Sequence, residues 1–407
     1  MKERVNRYFD DNKGQIVKYI TELTCKLVRQ KTVNVPAHQV HEHASYMDVP
    51  GQESRVAAIL TEEAQKSKLE TKLFEKELHR PNFCAYVGKG RKKLMVPCHM
   101  DTSPPGKGWK TNPFEPVVKG GYIVGRGSLD NKGPLVAGLV AAQALKPLER
   151  QLKGQLLVLG FADNEVIPGN GKLDCGIDYL LAEGLIKPDF AIIPDVGRDM
   201  RAIGVAEKGR LIVRVRALGK QGNGAVPEKG DNAIMKMTRF LHRVSNMALA
   251  YKPHELMGRP TLNVGEIHGG IGASTVPGDC EVTIDIRYLA GMKTESILGE
   301  LKKLAAEAGG PFEFATESDL KPQEVDPDNI LVRSIQENTS SLLGFEATPV
   351  GTGIATVARE LTKVGALAVG FGPGNDAVYN SANEYVEVEQ LYSFARIIAG
   401  VVIDLFT

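Results

Sequence analysis

Three apolar runs constrain the fold more than any other feature of this chain: KKLMVPCHMD at 92–101, LLVLGFADNE at 156–165 and FAIIPD at 190–195. A strand with one face in water alternates apolar and polar residues, because successive side chains point to opposite faces. These runs do not alternate, so both of their faces must be covered. Helical segments lie between them, a small-residue stretch at 133–146 and DYLLAEGLI at 178–186. The pattern predicts an α/β fold with a mostly parallel central sheet flanked by helices. FCAYVG at 83–88 reads as the partner of KKLMVPCHMD across the turn GKGRK. Ligands of such sheets gather at the carboxyl ends of the strands. His99, Asp101, Asp163, Glu165 and Asp195 fall at those ends.

From about residue 206 the pattern changes. RLIVRVRALG at 210–219 alternates, as a half-exposed strand does, and 232–247 has the spacing of an amphipathic helix. TLNVGEIHGG and CEVTIDIRYL read as two more strands, 293–308 as a helix capped near Thr294, and PFEFATES as a last strand. This βαββαβ order predicts an inserted α+β domain over 206–320, with 1–205 and 321–407 forming the main one. The 407 residues suffice for both, and a net charge of +1 gives no electrostatic case for nucleic acid or an anionic membrane. Five scattered cysteines without CxxC spacing argue against a disulfide framework and for a reducing, cytoplasmic setting. The charged opening MKERVNRYFDDNKGQ lacks a signal-like apolar stretch, and no run approaches a membrane span.

The chemistry sits in short motifs. His99 and Asp101 are two apart at a strand end, so the carboxylate can orient the imidazole as a metal-ligating histidine needs. GRGSLDNKG places Asp130 just ahead of a helix, and Asp163-Asn164-Glu165 and Pro194-Asp195 follow two further strands. A single aspartate after a strand is usually a turn or capping residue. Four acidic sites and one histidine at successive strand ends exceed what capping explains.

On HMDTSPPG, GRGSLDNKG, DNE, the PD of IIPD, EKGRLIVRVRALGK, GDNAI, IDIR and the segment FGPG to NEYVEV, the chain resembles a family of zinc peptidases and deacylases. That family includes acetylornithine deacetylase, succinyl-diaminopimelate desuccinylase, aminoacylase-1 and carboxypeptidase G, and the similarity runs from about residue 14 onward. The resemblance implies a catalytic domain, an inserted lid that often makes a dimer, and two metal ions bridged by a carboxylate. It assigns His99 and Asp195 to one ion, Asp130 to the bridge, and Asp101 to the support of His99. The other ion would take Asp130, Glu165 and a histidine whose position here reads Asn380. The general base reads Asn164, the oxyanion-donating lid histidine reads Asn223, and a lid asparagine reads Ser274. Arg287 is the candidate clamp for a substrate carboxylate, and Gly353 a further substrate contact.

These replacements change what the site can do. A carboxamide does not titrate near neutrality, and losing a positioned base costs roughly 10²–10⁴-fold in rate. Asn380 offers only a carbonyl oxygen, a poor zinc ligand beside imidazole. A one-metal site on His99, Asp130 and Asp195 remains chemically complete, with Glu165 free to act as base. The expected activity is metal-dependent hydrolysis of peptide or N-acyl amino-acid amide bonds, with zinc, or else cobalt or manganese, as the ion. The expected partners are a small peptide-like substrate and a second copy through the lid. The alternative is a homologue that binds such a ligand without cleaving it, or runs a non-hydrolytic reaction on the same frame.

Overall fold

The computed structural model describes residues 1–43, 45–47, 49–166 and 173–407. They form two compact units: Met1–Val205 with Val325–Val350 and Thr356–Thr407, and Ala206–Glu324 with Gly351–Ala355.

The first unit is built on a sheet of β1 (Glu70–Glu75), β2 (Pro81–Gly88), β3 (Lys92–His99), β4 (Gly154–Phe161), β5 (Phe190–Ile193), β6 (Ala202–Glu207) and β7 (Leu367–Gly370). Their spatial order is β1-β2-β4-β3-β5-β7-β6. The four central strands β4, β3, β5 and β7 run parallel, with antiparallel pairings outside them. β2 is buried along its whole length and β3 from Leu94 onward, as unbroken apolar runs require. The helix Gly133–Leu145 is apolar nearly all round and is buried accordingly, packed against the C-terminal helix Val388–Phe406.

One expectation is corrected. β2 and β3 are not hairpin partners, because β4 lies between them, antiparallel to β2 and parallel to β3. β4 is apolar on both faces and belongs in the middle of the sheet, so the connection from β2 to β3 passes over its end. The glycines of that connection serve close approach: a Cβ on Gly88 would lie 2.2 Å from the Gly154 carbonyl oxygen, and one on Gly90 1.7 Å from that of Lys153.

The second unit holds a four-stranded antiparallel sheet in the order Thr261–Gly269, Asp279–Tyr288, Gly209–Leu218, Phe312–Leu320. Leu211, Val213 and Val215 alternate inward with Val282, Ile284 and Ile286, and bury Phe240 and Leu301 of the helices Ala233–Val244 and Thr294–Ala308. Arg214 and Arg216 between them point outward and pair with Glu317 and Asp279. Asn232 caps the first helix by accepting from the Met235 N–H. Thr294 is not a cap: its hydroxyl donates to Asp319 at 3.1 Å. All five cysteines are free and buried. No described helix is long and apolar enough to cross a membrane.

Candidate metal centre

Parallel pairing sets His99 level with Phe161, so the ends of β3 and β4 deliver their following residues to one edge of the sheet. His99 is buried there at 2% exposure. Its Nε2 lies 2.9 Å from Asp130 Oδ1 and 3.8 Å from Glu165 Oε1. His99, Asp130 and Glu165 each turn one ligand atom into a group whose members lie within 4.8 Å of one another. Among the described residues Asp195 does not join that group. It follows β5, and its charge bears on the Cys98 thiol and the Tyr379 phenol.

The other face of the imidazole is held as well. Nδ1 lies 2.9 Å from the main-chain carbonyl of Asp101 and 3.4 Å from its carboxylate oxygen Oδ1. The i, i+2 spacing thus places the partner residue correctly, with the backbone making the shorter contact. Asp101 Oδ2 accepts from the main-chain N–H groups of Asn164 and Glu165, at 2.9 and 3.0 Å. The turn after β4 hangs from that oxygen.

Asp130 is fixed by two residues that the motif reading passed over. Glu384, fully buried, accepts from the N–H groups of Gly127, Leu129 and Asp130 at 2.9–3.1 Å. Arg126 donates to Glu384 at 2.7 Å and to the carbonyl of Asn380 at 3.1 Å. Both lie inside segments that carry the resemblance, GRG and NEYV, which was the available signal. Asn131 adds a donor to Asp130 Oδ1 at 2.7 Å.

Asn380 is exposed and sits at φ +56°, with its Oδ1 accepting from the Ser103 hydroxyl. The four candidate substrate contacts all belong to the second unit. Asn223 pairs with Thr275, next to Ser274, and its Oδ1 accepts from the Ala225 N–H at 2.9 Å. Arg287 makes a two-pronged contact with Asp285 at 2.8 and 3.0 Å and donates to the Gly353 carbonyl at 2.6 Å.

Electrostatics follow from the crowding. Burial works against a charged His99, yet the Asp130 and Asp101 carboxylates outweigh it and raise its pKa well above the ordinary value. Burial pushes the Glu165 carboxyl up to about 8, with His99 opposing and Asp130 and Asp101 adding to the rise. Asp101 goes the other way: burial would raise it, but hydrogen bonding and charge from His99 bring it to about 2.

Residues 95–404 match peptidase family M20/M25/M40. The chain belongs to this family. An acetylornithine deacetylase of Myxococcus xanthus is 32% identical over 328 residues, covering 77% of this chain and 80% of that protein. A succinyl-diaminopimelate desuccinylase of Nitratiruptor is 27% identical over 305 residues, covering 72% and 80%. The solved structure of human carnosine dipeptidase 1 shares the fold at a TM-score of 0.73 and 15% identity, over 99% of this chain and 98% of that one. For an M20/M25/M40 member the metal is tested by its donors. One imidazole nitrogen and two carboxylate oxygens match catalytic zinc sites in number, three protein donors with a fourth position left open, and are all of ligating type. The set fits one zinc-class ion.

Proposed function

We propose that this chain is a metal-dependent hydrolase of peptide or N-acyl amino-acid amide bonds. The observation that supports it best is the convergence of His99 Nε2, Asp130 and Glu165 at the sheet edge of a peptidase-family chain. His99, Asp130 and Glu165 would hold one ion, zinc first, with cobalt or manganese as substitutes. When bound, such an ion polarises the amide carbonyl and lowers the pKa of water. The chain's own residues supply the rest. Asp101 keeps the imidazole turned so that Nε2 faces the acids. Asp130 is held through its own N–H by Glu384. Glu165, with Oε1 3.8 Å from His99 Nε2, turns the third donor toward the ion, and the carboxamide at 164 cannot take a proton from attacking water.

Asn223, Ser274, Arg287 and Gly353 keep their family-derived assignment as substrate contacts. Arg287 is held by Asp285 and the Gly353 carbonyl through one N–H on each nitrogen, which leaves a second N–H on Nη1 and on Nη2 for a substrate carboxylate. Assembly as a homodimer through the second unit and a cytoplasmic setting belong to the same reading. A second reading, ligand binding without cleavage, draws on Asn380, whose side-chain oxygen is engaged by Ser103. Metal analysis of the purified protein, run beside a panel of dipeptides and N-acyl amino acids, separates the two. Bound metal with turnover supports the hydrolase; metal-free protein that still binds the panel supports the alternative.

A further inference from the structure

Behind the metal cluster lies a layer of buried polar side chains, three of which come from residues ahead of the family match at 95–404. Arg80, with 5% of its side chain exposed, donates to both oxygens of Glu53, from Nε at 3.0 Å and Nη2 at 2.6 Å. A bridge that serves stability alone is complete at that point. Arg80 has a further arm: Nη1 reaches Asp163 Oδ1 at 3.2 Å. The Asn34 amide converges on that same oxygen at 3.1 Å and donates to Asp101 Oδ2 at 2.9 Å. Asp163 sits at φ +59°, a left-handed conformation that non-glycine residues seldom adopt. Its second oxygen accepts from the Leu173 N–H at 2.7 Å.

We propose that Arg80 and Asn34 are positioning residues for the metal cluster. They fix Asp163 and Asp101 so that the turn after β4 carries Glu165 to His99 and Asp130. The path is continuous: Arg80 and Asn34 hold Asp163, Asn34 also holds Asp101 Oδ2, and that oxygen takes the Glu165 N–H. The same Asp101 provides the carbonyl that orients His99, so one donor layer serves two ligands. Arg80 is also the guanidinium whose charge faces Glu53, Asp163 and Asp101 together. A lysine there keeps the charge but lacks the fork that reaches Glu53 and Asp163 together, so Asp163 loses a donor and the turn is free to move. This assignment rests on the metal-dependent reading above.

The test uses the full chain stripped by chelator, with Arg80→Lys and Asn34→Ala beside wild type. Three quantities are measured: zinc affinity by calorimetry, the visible absorption spectrum of the cobalt-loaded protein, and the melting temperature without metal. Loss of outer-layer support typically weakens metal binding by about 10–100-fold. We expect that loss in both variants, with an altered cobalt spectrum. A lower melting temperature with unchanged zinc affinity and cobalt spectrum marks a purely structural layer and overturns the assignment. Should Arg80→Lys fail to fold, Asn34→Ala decides alone, since it keeps the Glu53–Arg80 pair. Wild type that takes up no zinc overturns this assignment together with the hydrolase reading. Uptake by wild type with equal uptake by the variants overturns this assignment only.

Discussion

The two halves of the site are built to different standards. On one side His99 and Asp130 are buried, each held by several hydrogen bonds that lead back to further buried groups at Asp101, Glu384 and Arg126. On the other side Asn380 stands exposed on a 3-10 turn's edge, its side-chain oxygen occupied by Ser103. Yet the backbone of Asn380 is gripped by the same Arg126 that fixes the Asp130 loop. Both sides are braced by Arg126, but only the His99 side presents converging ligand atoms. One buried arginine can therefore brace two loops of which only one turns a ligating side chain into the cluster.

The largest effect expected comes from rebuilding the weaker half. Asn164→Glu with Asn380→His introduces a titratable base and an imidazole. Amide hydrolysis should rise by roughly 10²–10⁴-fold, the usual value of a positioned base. Kinetics on the dipeptide and N-acyl amino-acid panel would show it. An unchanged rate would mean that the Asn380 side does not take part in amide hydrolysis, and the comparison of the two halves would fail.

The stronger half is probed through Glu384. Glu384→Gln keeps the shape but turns an amide toward three main-chain N–H donors that now point at a carboxylate. Zinc affinity should fall by about 10–100-fold, measured by competition with a chromophoric chelator. Full retention would show that the Asp130 loop holds itself without that carboxylate.

Much of this was legible in the sequence, and the exceptions have physical causes. Unbroken apolar runs announced a covered sheet, and alternation in 210–219 announced a sheet with one open face. Which strand fills the gap between β2 and β3 was not legible, because periodicity reports burial and not neighbours. His99 and Glu165 stood out as strand-end residues of ligating type, and Asp130 as a carboxylate just ahead of a helix. That Glu165 rather than Asp195 gathers with the other two depends on side-chain distances, which no spacing rule gives. Arg80, Asn34, Arg126 and Glu384 left the weakest trace. Charged and amide residues are mostly exposed, so a buried one carries no pattern of its own until its partner is known.

pH offers a gentler lever on the same contrast. The Glu165 carboxyl rises from 4.5 to about 8 on folding, so between those values the chelator-stripped native state holds a proton that the unfolded chain has released. Stability from this group is present below pH 4.5 and is lost as pH rises through about 8. His99, also raised, acts in the same direction. Melting temperatures of the stripped protein should therefore decline across this window relative to Glu165→Gln. Zinc affinity should climb over the same window, because uptake displaces the proton. Parallel melting profiles for the two proteins would show that Glu165 is not held in the crowded cluster.

The smallest effect is expected at Ser103. Ser103→Ala removes the hydroxyl that occupies Asn380 Oδ1 and leaves the buried ligands untouched. An exposed hydrogen bond of this kind is worth about 0.5–1.5 kcal/mol at most, so the melting temperature should shift only slightly. Zinc affinity should stay within about twofold, since a carbonyl oxygen adds little as a zinc ligand. A tighter zinc site in Ser103→Ala would be the informative surprise. It would mean that Asn380, once released, reaches the ion, and that a single hydroxyl keeps that side chain away from the metal.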